Sequence, residues 1–252
     1  MDIKIIVATH KQYWMPTDDV YLPIHVGRAG KQDIGYIGDD TGENISEKNP
    51  NYCELTGLYW AWKNLDADYI GLCHYRRYFT RRNHRNCAKK KEAILTYKEF
   101  ASILKEVPII VPDKRRYYIE TVRSHYNHSH YAKDLDMTEM IINELYPEYN
   151  EIFRKVMNRT WAHMFNMFVM RRDYFEAYCQ WMFSILDKLE QRTDISSYNA
   201  VEARIYGYIS EMLLDVWLEK NALKYREQNV SFLEPQNWLK KGGRFIIRKF
   251  KM

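Results

Sequence analysis

The sequence predicts an α/β domain built on an open sheet, and three observations carry that prediction. Short apolar runs of strand length recur at Ile3–Ala8, Tyr69–Cys73 and Val107–Val111. Elsewhere apolar residues recur at helical spacing, as in Tyr52, Leu55, Leu58, Tyr59 and Trp62, and again in Tyr174, Tyr178, Trp181, Ile185 and Leu189. Polar clusters follow two of the strands at their carboxyl ends, where open α/β sheets bind ligands. At 252 residues the chain is long enough for one large domain of this kind. We place it at residues 1–235, with a basic amphipathic tail at 236–252.

The elements follow in order. Ile3–Ala8 is β-branched and almost wholly apolar, the pattern of a central strand covered on both faces. It ends in Thr9-His10-Lys11, which reads either as a solvated turn or as a nucleotide contact. Asp18–Val26 reads as a loop and Asp33–Ile37 as a short strand. In the acidic loop Gly38–Asn44, Asp39 and Asp40 offer ligands for a divalent cation. Asp and Gly also build such turns without a metal, so this is the weaker reading. Asn49-Pro50 reads as the cap and first residue of a helix running to about Asn64, with Asn51 in its first turn and Glu54 close behind.

Tyr69–Cys73 then gives way within one residue to His74, Tyr75, Arg76, Arg77, Tyr78 and Phe79. Imidazole and guanidinium groups suit an anion, and the fork of Arg matches phosphate oxygens. The run Arg81–Lys91 is strongly basic, and such runs are usually solvated. Thr96 with Glu99 fits a capping box opening a helix to Leu104. His125, His128 and His130 lack an established zinc spacing, but with neighbouring Tyr, Ser and Asn they suit sugar hydroxyls. Asp136 and Glu139 are read as opening a helix, and Trp161–Met170 as one strand carrying His163 and Asn166. His163 there reads as a core residue, and Asn166 favours a polar pocket contact beside it. A long helix spans Arg171–Leu189, and another lies within Tyr198–Leu218. In the second, Arg204 and Glu211 stand about two turns apart on nearly one face. Leu223–Phe232 reads as a final strand.

Composition narrows the function classes. A net charge of +5 favours anionic partners only modestly and does not imply duplex nucleic acid. Cys53, Cys73, Cys87 and Cys179 form no CxxC pair, so reduced core thiols of a cytosolic protein are the simplest account. The amino terminus lacks a signal-peptide layout, and no apolar run approaches the ~20 residues needed to span a bilayer. Residues 238–251 mix bulky apolar side chains with Lys and Arg, which reads either as a segment resting at an anionic membrane surface or as an ordinary basic terminus.

Four segments together resemble a bacterial family first catalogued as a domain of unknown function and found in capsular and exopolysaccharide gene clusters. They are Ile6–Lys11, Asn51–Asn64, Tyr69–Phe79 and Arg204–Glu211, within a similarity running over roughly residues 3–220. The family is regarded as glycosyltransferase-like. The resemblance implies a single GT-A-like, Rossmann-like domain: a mixed, mainly parallel sheet flanked by helices, with a helical C-terminal part. It implies a hexosyltransferase using a nucleotide-sugar donor and a lipid-linked glycan acceptor in the cytoplasm. It points to Thr9, His10, Lys11, Asn51, Glu54, Arg76, Arg77 and Arg204 around the donor, with Glu211 and His74 as catalytic candidates. His125, His128, His163 and Asn166 are the acceptor candidates. Many GT-A enzymes end the strand equivalent to Tyr69–Cys73 in Asp-x-Asp, which holds Mn²⁺ or Mg²⁺. This chain has Cys73-His74-Tyr75-Arg76 there, so metal dependence stays open. Two other readings stand beside this one: a single-stranded RNA-binding surface of basic and aromatic residues, and a phosphoryl-transfer enzyme, which would lack a Gly-rich phosphate loop.

Overall fold

A computed structural model describes residues 1–82 and 86–234. The tail at 236–252 and part of the basic run, residues 83–85, lie outside the described residues. Strands β1 (Ile3–Thr9), β2 (Tyr21–His25) and β3 (Ile37–Gly38) come first, followed by helices α1 (Asn49–Tyr52) and α2 (Leu55–Asn64). Next are β4 (Tyr69–His74), β5 (Arg77–Phe79), α3 (Cys87–Glu92), α4 (Tyr97–Leu104), β6 (Ile109–Pro112) and β7 (Arg115–Arg116). The second half holds α5 (Val122–Asn127), α6 (Ala132–Leu145), α7 (Asn150–Met157), β8 (Trp161–Ala162) and β9 (Phe168–Arg171). It closes with α8 (Arg172–Arg192), α9 (Ile205–Lys220), β10 (Arg226–Gln228) and β11 (Val230–Phe232).

The main sheet runs β10-β6-β9-β4-β1-β2-β3, with β5 and β11 attached beside β4. Along that path only β9 is antiparallel to its neighbours, so the sheet is mixed and mainly parallel, as predicted. Alternate residues of the central strands feed two cores. Ile6, Ala8, Ile70 and Leu72 face α2, α8 and α9, whereas Ile3, Ile5, Val7, Tyr69 and Cys73 face Tyr78, Phe79 and Phe100. A Cβ on Gly71 would lie 2.7 Å from the Phe168 carbonyl oxygen, so the β4–β9 approach requires glycine. Leu72 is fully buried, and cutting it to Ala is expected to cost about 2–5 kcal/mol.

Several local expectations differ from the structure. Asp18–Val26 contains β2, which pairs with β1 from Tyr21 to His25. Its Pro23 is tolerated because β3 reaches only Ile24 and His25, leaving that side open at Pro23. The helix expected over Asn49–Asn64 is broken at Cys53, whose φ of 54° is left-handed. Asn49 is the first helical residue rather than the cap, and its Nδ2 donates to the Cys53 carbonyl (2.7 Å), holding the break. Trp161–Met170 is two strands around a turn with Phe165 at φ 80° and Asn166 at φ 53°. Asp136 lies inside α6 rather than at its start. The final strand likewise divides at Asn229, because β11 turns to pair with β5 instead of continuing beside β6. All four cysteines are free, but Cys87 is exposed rather than a core thiol.

Candidate active site

β1 and β4 end side by side, with Ala8 opposite His74, so the residues after each strand share one edge of the sheet. The Thr9 hydroxyl donates to the Lys11 carbonyl (2.6 Å) and accepts from the Lys11 amide (3.3 Å), closing a turn that presents Lys11. The Lys11 ammonium lies 5.5 Å from the Tyr13 ring and 5.3 Å from the Tyr75 ring. His10 meets Tyr75 edge-on, and burial together with Lys11 and Arg76 lowers its pKa. Arg76 lies over Tyr75 (4.8 Å) and pairs with Glu234 (2.9 Å), which also accepts from the Tyr13 hydroxyl (3.4 Å). The Arg76 hydrogen bond holds the Glu234 carboxyl below its usual range. This side of the edge is therefore cationic, aromatic and already holding one carboxylate.

On the other side the chain gathers His74, Arg77, Glu54, Asn166, Arg204 and Glu211. His74 Nε2 donates to the Phe165 carbonyl (2.6 Å), an assignment that leaves the lone pair on Nδ1. Burial, above all, lowers the His74 pKa and favours the neutral ring. Arg77 lies between the rings of Phe165 (4.9 Å) and Phe232 (5.4 Å). Asn166 donates to Glu54 (2.8 Å) and to the Gly207 carbonyl (3.2 Å), and accepts from Ser210 (3.0 Å). The break at Cys53 delivers Glu54, the turn before β9 delivers Asn166, and α9 delivers Glu211 one turn beyond Gly207.

Glu211 differs from its neighbours. Its carboxylate accepts no hydrogen bond among the described residues. Burial, and next the charge of Glu54, push its pKa up to about 7, against the pull of Arg77, Arg115 and Arg204. It borders a cavity of about 170 Å³ whose wall includes Arg115, Tyr117, His125, Tyr126, His130 and Tyr208.

The remaining sequence candidates hold the frame or lie elsewhere. Asn51 donates to the Ala203 carbonyl (2.8 Å), and Arg204 Nε donates to Cys53 Sγ (3.0 Å); both fasten the turn before α9 to the break after α1. Asp39 is fully buried and accepts from the Gly27 amide (2.8 Å), the Arg28 amide (3.1 Å) and the Ser46 hydroxyl (2.5 Å). Asp40 pairs with Arg28 (3.2 Å). His125 and His128 both bind the buried Glu120, at 3.0 and 2.7 Å, but only His125 borders the cavity. His163 is fully buried against Asp215 (2.5 Å), outside the cavity wall.

Arg115, Tyr117 and Tyr208 around the cavity, and Tyr13 and Glu234 at the cationic edge, were not among the sequence candidates, whereas Tyr126 lies in the His125–His130 stretch already read as suited to sugar hydroxyls. One signal was present: Arg115-Arg116-Tyr117-Tyr118 repeats the pattern of Arg76-Arg77-Tyr78-Phe79.

This architecture, with its site at the carboxyl edge of a mainly parallel sheet, is a glycosyltransferase-type α/β fold. It is similar to the apo structure of WbbM, described as a bifunctional glycosyltransferase, with a TM-score of 0.86 and 33% sequence identity. That match covers 93% of this chain and 46% of the other, so this chain spans less than half the length of that protein. Residues 4–222 match the family described as Domain of unknown function (DUF4422), and the chain belongs to that family. No curated protein matches it. No helix among the described residues is long and apolar enough to cross a membrane.

Proposed function

We propose that this chain is a glycosyltransferase that moves a hexose from a nucleotide donor, UDP-linked in our reading, to a glycan acceptor. The observation that carries the reading is Glu211: a carboxylate with no hydrogen bond among the described residues and a pKa of about 7, between a cationic edge and a small polar cavity. The likeness to WbbM supports the reaction class.

The donor diphosphate lies against Lys11, Arg76 and Arg77, and the half-buried Tyr13 ring offers a face for the base. Glu211 accepts the acceptor hydroxyl's proton as the oxygen bonds to the anomeric carbon. The bond from that carbon to the phosphate oxygen breaks, and its electron pair leaves with the nucleoside diphosphate. Fixed guanidinium groups stabilise the charge that develops on the leaving group. A single displacement of this kind inverts the anomeric centre. His74, bound to Phe165, ties the end of β4, which leads into Arg77, to the turn that carries Asn166.

The groups at the end of β4 fit a divalent cation poorly. Arg76 and Arg77 bring positive charge, His74 is engaged through Nε2, and Glu54 is engaged by Asn166. We therefore propose donor binding without a metal at this position. Galactose, as pyranose or furanose, is our candidate sugar, and a capsular or exopolysaccharide intermediate on a lipid carrier our candidate acceptor. The apolar and basic sequence of residues 238–251 supports contact with the inner membrane face.

Thermal melting of the purified chain tests the donor. UDP or a UDP-sugar is expected to raise the melting temperature, in EDTA as well as without it, and Arg76→Ala to remove the shift. A full panel of nucleotides and nucleotide sugars giving no shift would contradict the proposal.

A further inference from the structure

The cavity beside Glu211 carries more polar capacity than the protein itself uses. Four hydroxyls in its wall, on Tyr117, Tyr126, Tyr208 and Ser129, have no hydrogen-bond partner among the described residues. Arg115, also in the wall, has no carboxylate within ion-pair distance among them, although Glu211 feels its charge. None of these hydroxyls is sealed away from solvent, so each opens onto the cavity and can exchange water for a ligand's hydrogen bonds. Here they are gathered on one concave surface around one carboxylate, which is the arrangement of a binding site.

Size and chemistry restrict the occupant. About 170 Å³ is well below the ~300–1,000 Å³ of pockets that enclose drug-sized ligands, so a nucleotide sugar does not fit. The tyrosines keep their protons, since burial holds Tyr117 up at about 12 and raises Tyr126 and Tyr208 as well. Each hydroxyl therefore both donates and accepts, as a polyhydroxylated ring requires. The walls are rigid. His125 stacks on Tyr117 with ring centroids 4.3 Å apart, and His130 stacks on Tyr208 at 4.1 Å. Glu120 fixes His125 and Glu202 fixes His130, each at 3.0 Å.

We infer that this cavity is a subsite for one sugar ring, the terminal residue of the acceptor, with its reactive hydroxyl turned to Glu211. The inference rests on the glycosyltransferase reading and adds a location, a size limit and four specificity-determining hydroxyls. The segment between Tyr117 and Val122, both in the wall, carries Tyr118 and Ile119 at 81% and 70% exposure. The next sugar of a longer acceptor chain would pass over these side chains, because the cavity holds a single ring.

The test uses the full chain and a panel of methyl hexopyranosides, methyl hexofuranosides and methyl N-acetylhexosaminides. Saturation-transfer NMR should detect at least one of them, and a crystal soaked with that glycoside should place its ring in the cavity. Tyr208→Phe and Tyr126→Phe should each weaken that glycoside about fivefold, the effect of one net hydrogen bond, without changing the UDP-induced melting shift. A glycoside seated elsewhere, unchanged affinity in both variants, or no binding across the panel would overturn the subsite. UDP binding without glycoside binding would sink this inference alone. Glycoside binding in the cavity without any nucleotide binding would instead sink the proposed transfer reaction.

Discussion

The two sides of the β4 edge hold charge in opposite ways. On the cationic side Arg76 is already matched: Glu234 sits on its guanidinium in a half-exposed ion pair. On the cavity side Glu211 has cations in its neighbourhood but no hydrogen bond among the described residues. The first arrangement suits a place where one anion is exchanged for another. Arg76 can trade a tethered carboxylate for phosphate oxygens at modest cost, since exposed ion pairs contribute only about 0–1 kcal/mol. The second suits a place where a proton moves, because a half-desolvated carboxylate with a pKa near the working pH is readily charged and readily discharged. In the proposed reaction, donor binding and proton transfer are thus assigned to two faces of one strand end.

The variant that breaks this division most strongly is Glu211→Gln. It keeps the shape and loses the base, so transfer should fall about 10²–10⁴-fold while the UDP-induced melting shift is unchanged. Next in size is Arg76→Ala. Removing a charge-assisted contact worth about 1.5–3 kcal/mol should weaken UDP by roughly 10–100-fold in titration calorimetry and leave methyl glycoside binding intact. A third outcome concerns stability. The folded Glu211 pKa of about 7 lies above its ordinary value of 4.5. The native state therefore binds this proton more tightly than the unfolded chain does. That contribution is complete below about pH 4.5 and is lost as pH rises through about 7. Glu211→Gln should accordingly melt higher than the wild type at pH 8, and the difference should shrink towards pH 5. The smallest expected effect is at Glu234. Glu234→Gln removes the competing carboxylate, so UDP should bind up to about fivefold more tightly, within the range of an exposed ion pair. Weaker binding would mean that Glu234 helps to hold the donor.

The frame was largely legible in the sequence, and the site was legible in parts. β1, β4, α4, α8 and α9 announce themselves by apolar period and capping, which depend on near neighbours. Tyr21–His25 does not, because Pro23 and two aspartates read as loop until β1 is there to pair with it. The break at Cys53 was equally hidden. It depends on an Asn49 side chain turning back onto a carbonyl, and it is what aims Glu54 at Asn166. His74, Arg77, Glu54, Asn166, Arg204 and Glu211 were all candidates, and the fold brings them together from four segments. Arg115, Tyr117 and Tyr208 were missed because they come from β7, the residue after it and α9, and no local spacing links them to one another or to Tyr126. Thr9 and Asn51 carry polar atoms spent on backbone groups, and Asp39 is spent on two backbone amides and the Ser46 hydroxyl. Sequence chemistry alone does not distinguish a free side chain from an engaged one.

The most direct test of Glu211 as the base is the pH dependence of nucleoside diphosphate release from the donor sugar identified by melting, with water or a glycoside as acceptor. With Glu211 as the base, kcat/KM is expected to rise with pH through a midpoint of about 7, as Glu211 loses its proton. In Glu211→Gln that rising limb should disappear, with residual release at least 100-fold slower and nearly flat, while UDP still binds. A Glu211→Gln enzyme that keeps both the rate and the rising limb would contradict the account.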